Sequence, residues 1–101
     1  FARRGYDLGL IDVLTGDLQE AVALATELGA TCVAKPCDLN NLDESQDAVR
    51  QIGEHFDRMD VLVNNAAWRE VKTMREISIE SWERTLQICL TPPAFLARTA
   101  A

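Results

Sequence analysis

The sequence has few of the residues that common binding surfaces require. Ten Lys and Arg stand against 16 Asp and Glu, which gives a net charge of −6. Binding to nucleic acid and to anionic membranes depends on clustered cations, so this balance argues against both kinds of partner. No uninterrupted apolar run approaches the roughly 20 residues that a bilayer requires. We therefore expect no nucleic-acid partner and no membrane association.

Cysteine is also scarce and unevenly placed. Cys32, Cys37 and Cys89 are odd in number and have no CxxC spacing. This usage is typical of reduced thiols in a cytoplasmic protein rather than of a disulfide framework. The acidic stretch 38–44 lacks the glycine and the terminal glutamate of a calcium loop. We expect no metal site.

The residues that are present predict an α/β fold. Apolar residues make up 48% of the chain and charged residues 26%, which is enough to bury a core. Apolar or β-rich runs at 8–13, 31–35 and 61–64 alternate with helical patterns. Strands separated by helices of about 10–15 residues indicate βαβ units and a doubly wound parallel sheet.

The helix boundaries carry their own signals. Asp17 with Glu20 predicts a capping box, and Gly29 predicts a C-terminal stop for the first helix. The second helix should begin near Asp43. Ser78 should cap the third helix, which Pro92 and the proline after it must interrupt or kink. The predicted buried positions are Leu18, Val22, Ala25 and Leu28 in the first helix, Ala48, Val49, Ile52 and Phe56 in the second, and Trp82, Leu86 and Cys89 or Leu90 in the third.

Polar residues at the strand ends are the candidate binding residues, because ligands of such sheets bind at the carboxyl ends of the strands. Asp12 ends the first predicted strand. An acid at the end of the second strand of a dinucleotide fold accepts hydrogen bonds from the adenosine ribose and repels a 2′-phosphate, which selects NAD over NADP. Asp12 could alternatively start a turn.

The other two strand ends offer further candidates. Asp38 could accept from an adenine amino group while the Leu39 amide meets a ring nitrogen, although Asp38 could equally be a helix cap. After Asn64, the small Ala66 and Ala67 let the main chain run close to a cofactor. The asparagine amides could also bond a neighbouring strand end.

Taken in order, these elements resemble the short-chain dehydrogenase/reductase family over almost all of the chain. The matching stretches are LGLIDV with Asp12, the Asp38–Leu39 pair, VLVNNAA against the family's NNAG, and the tryptophan of ESWERTL. The resemblance implies that residues 1–101 are part of a single NAD(P)-binding Rossmann domain, a doubly wound parallel sheet. It would contain strands 2 to 4, without the first strand and the C-terminal half.

The resemblance also implies roles for the candidates. Asp12 would hold the adenosine ribose, Asp38 and Leu39 the adenine, and Asn64, Ala66 and Ala67 the ribose wall. Hydride would pass between NAD, with NADP less favoured, and a secondary alcohol or ketone. A homodimer or homotetramer is expected for the intact protein.

No catalytic residue can be assigned from the resemblance. Tyr6 is the only tyrosine and is not followed by a YxxxK pattern, and the TGxxxGxG turn is missing. We therefore expect the chain to be a fragment that carries cofactor-binding elements only. Cys89 aligns with an asparagine of the family's proton relay, and a thiol is a poor substitute for an amide. A non-catalytic nucleotide-binding or scaffold protein on the same fold is the alternative.

Three further residues are candidates for packing roles. Cys89 is expected to be packed in the core. Trp68 and Arg69 could face a substrate or simply pack on the surface. The doubly wound strand order places the missing first strand between residues 61–64 and the strand at 8–13. Exposed apolar sheet edges are therefore expected.

Overall fold

Two parallel strands and four α-helices make up the fold in this computed structural model, which describes residues 1–101. In chain order these are β1 (Leu8–Asp12), α1 (Thr15–Glu27), β2 (Cys32–Pro36), α2 (Leu42–Phe56), α3 (Ile79–Cys89) and α4 (Thr91–Ala100). A 3-10 turn over Ala2–Arg4 precedes β1. The α/β fold class and its parallel pairing are confirmed.

The two strands pair in register from Leu8 with Cys32 to Asp12 with Pro36. Helix α1 packs on both strands, α2 packs on β1 and on α4, and α3 contacts α4. The small core therefore consists of the inward faces of α1, α2 and α4. Its buried apolar residues are Leu18, Ala25, Cys37, Ala48, Val49, Ile52 and Leu96.

Helix α1 begins earlier than the capping box predicted. Its first residue is Thr15, so Asp17 lies inside the first turn and is not the cap. The reason is that the Asp12 Oδ1 accepts a hydrogen bond from the Leu14 N–H at 2.9 Å, which turns the chain directly after β1. Gly29 does end the helix region, in the left-handed conformation with φ of 89°.

The other helix starts agree well with the sequence pattern. Asn41 caps α2, and its side chain accepts from the Glu44 N–H. Ser78 caps α3 as predicted. The proline pair separates α3 from α4, because a proline without an N–H is tolerated in the first turn of a new helix.

The buried stripe predicted for α3 is wrong except at Leu86, which is half-buried. Trp82 is 49% exposed, Leu90 is 59% exposed and Cys89 is also exposed, whereas the buried residue of this helix is Ser81. Helix α3 packs mainly on α4, so its apolar side chains are not buried against the sheet.

Residues 61–64 do not form the predicted third strand. The main chain from 58 to 72 makes no backbone–backbone hydrogen bond. Val61 and Val63 are 48% and 61% exposed. In the complete doubly wound fold, a strand that precedes β1 in the chain lies between β1 and this segment. Neither β1 nor β2 occupies that position. The apolar side chains of Val61 and Val63 are thus exposed, although they are not part of a sheet edge.

Candidate functional site

The carboxyl ends of β1 and β2 lie side by side and bring three candidate residues together. Asp12 and Pro36 are register partners, and the Cys37 N–H donates to the Asp12 carbonyl at 3.0 Å. The Asp38–Leu39 pair follows directly. Asp12, Asp38 and Leu39 therefore share one edge of the sheet, as the parallel pairing requires.

Asp12 keeps part of its hydrogen-bonding capacity at this edge. Its side chain is exposed, and its Oδ1 accepts from the Leu14 N–H. The Oδ2 makes no hydrogen bond within the chain. A carboxylate offers about four lone-pair sites in total, so Asp12 starts the turn and still has acceptors for a ligand hydroxyl. The two alternatives raised from the sequence are thus compatible in this geometry.

Asp38 stabilises a turn rather than capping a helix. Its Oδ1 accepts from the Asn40 N–H at 2.9 Å and from the Asn40 Nδ2 at 2.8 Å. The cap of α2 is Asn41, so the helix-cap alternative for Asp38 is wrong. The Asp38 Oδ2 makes no hydrogen bond within the chain.

The turn after β2 also leaves a donor free. The Asp38 carbonyl accepts from the Asn41 N–H at 2.9 Å and from the buried Ser45 hydroxyl at 3.4 Å. These bonds hold the turn against α2. The Leu39 N–H, by contrast, makes no hydrogen bond within the chain. The turn thus presents one free carboxylate oxygen and one free N–H, the pair of groups that an amino-substituted heteroaromatic ring can bond.

The segment Asn64–Ala67 is not joined to this edge. All four of its residues are exposed, and no hydrogen bond links them to β1 or β2. Asn64 instead lines a cleft of about 310 Å³, formed mainly by apolar residues of 59–62 and the end of α4. The structure therefore brings together Asp12, Asp38 and Leu39 but leaves Asn64, Ala66 and Ala67 apart from them.

Contacts made by α3 hold the residues after Ala67. The Cys89 Sγ donates to the Trp68 carbonyl at 3.2 Å and accepts from the Trp68 N–H at 3.4 Å. The Arg84 guanidinium lies 4.5 Å from the centre of the Trp68 ring. Trp68 is half-buried against these two side chains, which favours the packing alternative over a substrate contact. Cys89 is not a core residue.

Glu70 adds an electrostatic contact to the same region. Its carboxylate accepts from the Ser81 hydroxyl at 2.7 Å and pairs with Lys72 at 2.5 Å. The hydrogen bond from Lys72, followed by the one from Ser81, lowers the pKa of Glu70 below its ordinary value. Sequence reasoning did not identify Glu70, Ser81 or Arg84. The spacing of Ser81 and Arg84 on one helical face is the only signal that could have indicated them.

Neither a metal site nor a membrane span is found. No group of three or more His, Cys, Asp or Glu side chains could hold a metal ion. No helix combines the length and the apolar character that crossing a bilayer would require.

Comparison with known proteins identifies the fold and the family. The sequence model of the family described as short chain dehydrogenase matches residues 1–101. The chain is 30% identical over its whole length to galactitol 2-dehydrogenase from Agrobacterium fabrum and covers 38% of that protein. The chain spans well under half of the length of the curated relatives that it matches.

Two solved structures share the fold at lower identity. NAD+-bound xylitol dehydrogenase superposes with a TM-score of 0.90 at 22% identity, over 98% of this chain and 38% of the other. An alcohol dehydrogenase from the archaeon Thermococcus sibiricus, complexed with 5-hydroxy-NADP, gives 0.90 at 22% identity, over 98% and 43% of the two chains.

Proposed function

Since this chain belongs to the short chain dehydrogenase family, we propose that it supplies the adenosine-binding part of an oxidoreductase that transfers hydride between NAD(H) and a secondary alcohol or ketone. The observation that carries the proposal is the shared strand edge, where Asp12 lies beside the Asp38–Leu39 turn with acceptors and a donor unused. Bound NAD would supply the hydride acceptor. The residues of this chain bind and orient the cofactor.

The preference for NAD over NADP rests on the charge of Asp12. Its exposed carboxylate accepts from the Leu14 N–H through one oxygen only, so the other oxygen is free to accept from a ligand hydroxyl at the strand end. A ribose with two hydroxyls donates to this carboxylate, whereas a 2′-phosphate brings like charges together. Asp38 and the Leu39 N–H would hold the adenine, and Asn64, Ala66 and Ala67 would form the ribose wall.

The substrate class and the assembly belong to the same proposal. The name of the galactitol relative supports a polyol or another secondary alcohol as substrate. The three free cysteines support a reducing, cytoplasmic location. The exposed apolar surface supports pairing of copies into a homodimer or homotetramer.

The test is a titration of the protein, with its natural flanking sequence, by NADH and by NADPH. Wild-type protein should bind NADH at least tenfold more tightly than NADPH, a difference in binding free energy of about 1.4 kcal/mol. The Asp12→Asn variant keeps an oxygen for the Leu14 N–H but loses the charge, so the two affinities should converge. An Asp43→Asn variant, which removes an exposed acid from the first turn of α2, is the control and should keep the wild-type ratio.

The outcomes separate the parts of the proposal. Tighter binding of NADPH by wild-type protein would contradict the assignment to Asp12. Binding of NADH without its oxidation by any ketone, and without reduction of NAD by any polyol, would indicate the non-catalytic alternative. Absence of binding to both cofactors would overturn the proposed function.

A further inference from the structure

The segment that carries NNAA is held to the rest of the molecule at one point of its main chain. From residue 58 to residue 72 the backbone makes no hydrogen bond to another backbone group. The two bonds between Trp68 and the Cys89 thiol are the only hydrogen bonds that any main-chain atom of this stretch forms. Trp68 directly follows Ala67, so this contact fixes the C-terminal end of the segment.

The Cys89 thiol makes this contact in both directions. It donates to the Trp68 carbonyl and accepts from the Trp68 N–H, so both polar groups of one residue bond a single sulfur atom. A thiol is a weak donor and a weak acceptor, but two bonds to one residue fix its position and its rotation. The Cys89 thiol thus both donates and accepts at this position, while its role as a poor substitute for the amide of the proton relay stays a prediction.

Two other side chains of α3 support the same contact. Arg84 lies over the Trp68 ring, and the Ser81 hydroxyl donates to the Glu70 carboxylate. Ser81, Arg84 and Cys89 therefore contact successive parts of the Trp68–Glu70 stretch from a single helix. The helix itself is anchored by its Ser78 cap and by packing on α4.

We propose that Cys89 is a positioning residue for the cofactor site. Its thiol hydrogen-bonds the Trp68 main chain and thereby sets the position of Asn64–Ala67. The inference rests on the proposed function, because those four residues matter only if they border a cofactor. The thiol itself does not touch the cofactor and transfers no proton to it.

The test compares four forms of the protein with its natural flanking sequence. The Cys89→Ala variant removes both hydrogen bonds, and the Cys89→Ser variant restores a group that donates and accepts at nearly the same place. The Gln87→Ala variant alters an exposed residue of the same helix and is the control. NADH affinity should fall about tenfold in the alanine variant, recover to within about threefold of wild type in the serine variant, and stay unchanged in the control.

A second measurement does not depend on the cofactor. In wild-type protein the Trp68 amide hydrogen should exchange more slowly than those of Ala67 and Arg69, which make no hydrogen bond. In the alanine variant this difference should disappear. Because the wild-type comparison needs no variant, it tests the hydrogen bond to the Trp68 N–H even if the alanine variant does not fold.

Three results would overturn the inference. The first is equal exchange of the three amides in wild-type protein. The second is equal NADH affinity of the Cys89→Ala and Gln87→Ala variants. The third is failure of the serine variant to recover affinity. If wild-type protein binds no nicotinamide cofactor, the proposed function fails. Slow exchange of the Trp68 amide hydrogen would then show that the Cys89–Trp68 hydrogen bonds form but position no cofactor site.

Discussion

A methyl group at Gly9 tests how α2 packs on β1. A Cβ built on this residue would lie 2.2 Å from the Ile52 Cγ2, 3.0 Å from its Cδ1 and 3.1 Å from its Cγ1. Ile52 is 7% exposed and belongs to the core. Because all three close atoms belong to one buried side chain, Ile52 must leave its position or α2 must move away from the sheet.

The expected loss of stability follows from two opposing effects. Overpacking of a core costs about 1–3 kcal/mol. Replacing glycine by alanine reduces the entropy of the unfolded chain, which returns about 0.4–1 kcal/mol where the backbone allows it. The φ of Gly9 is not positive, so this gain applies. The Gly9→Ala variant should therefore lose about 1–2 kcal/mol of unfolding free energy.

The assay is urea unfolding of wild type, Gly9→Ala, Ile52→Ala and the double variant. Without the Ile52 side chain the new methyl group meets no clash, so the double variant should be more stable than the sum of the single effects by about 1–2 kcal/mol. Gly53→Ala on the same helix is the control. Its Cβ would lie 3.9 Å from the Met59 Cε, an ordinary contact, so it should stabilise by about 0.5–1 kcal/mol.

Stabilisation by Gly9→Ala, together with additive effects in the double variant, would refute this packing of α2 on β1.

Two further predictions concern α3 and the segment that it holds. Ser78→Ala should cost about 1 kcal/mol of stability, because the Ser78 hydroxyl caps the Ser81 N–H at 3.1 Å, whereas Ser78→Asp should not; thermal unfolding measures both. The hydrogen bonds from Lys72 and Ser81 lower the pKa of Glu70. The stability that the Glu70 carboxylate contributes is therefore present above its unfolded pKa and lost as the pH falls through its folded pKa. Glu70→Gln should therefore lower the Tm at neutral pH, and this difference from wild type should shrink as the pH falls below the ordinary carboxylate range; a difference that does not change with pH would contradict this.

The sequence pattern predicted much of the local structure because local signals determine it. Two strands, the cap at Ser78 and the stop at Gly29 depend on residues within a few positions of each other. The start of α1 was placed too late, since the Asp12 side chain competes with Asp17 for the start of the turn. The inward residues of α2 were predicted well because this helix packs on β1 and α4 along one face.

Features that depend on distant partners could not be predicted in the same way. Residues 61–64 have a strand pattern, yet a strand requires a neighbour, and β1 is not adjacent to them in a doubly wound order. Trp82 and Cys89 have the spacing of a buried stripe, but α3 has no sheet to cover. The contact between Cys89 and Trp68 joins residues 21 positions apart, and no local rule indicates it.

The candidate site residues also divide into those that the pairing of β1 and β2 brings together and those that depend on a distant partner. Asp12, Asp38 and Leu39 follow strands that pair with each other, so parallel pairing alone brings them to one edge. Asn64, Ala66 and Ala67 follow a segment whose neighbour is not part of the chain's sheet. Their place beside the other three stays a prediction.

The most direct test of the central claim is the amide NMR spectrum of the protein, with its natural flanking sequence, during titration with NADH. The Leu39 N–H has no partner within the chain, so a ring nitrogen of bound adenine should shift its signal strongly. The signals of residues 12–14 should shift with the same affinity. Shifts confined to other regions, or no shift of Leu39 at saturating NADH, would contradict the assignment of the cofactor site to this edge of the sheet.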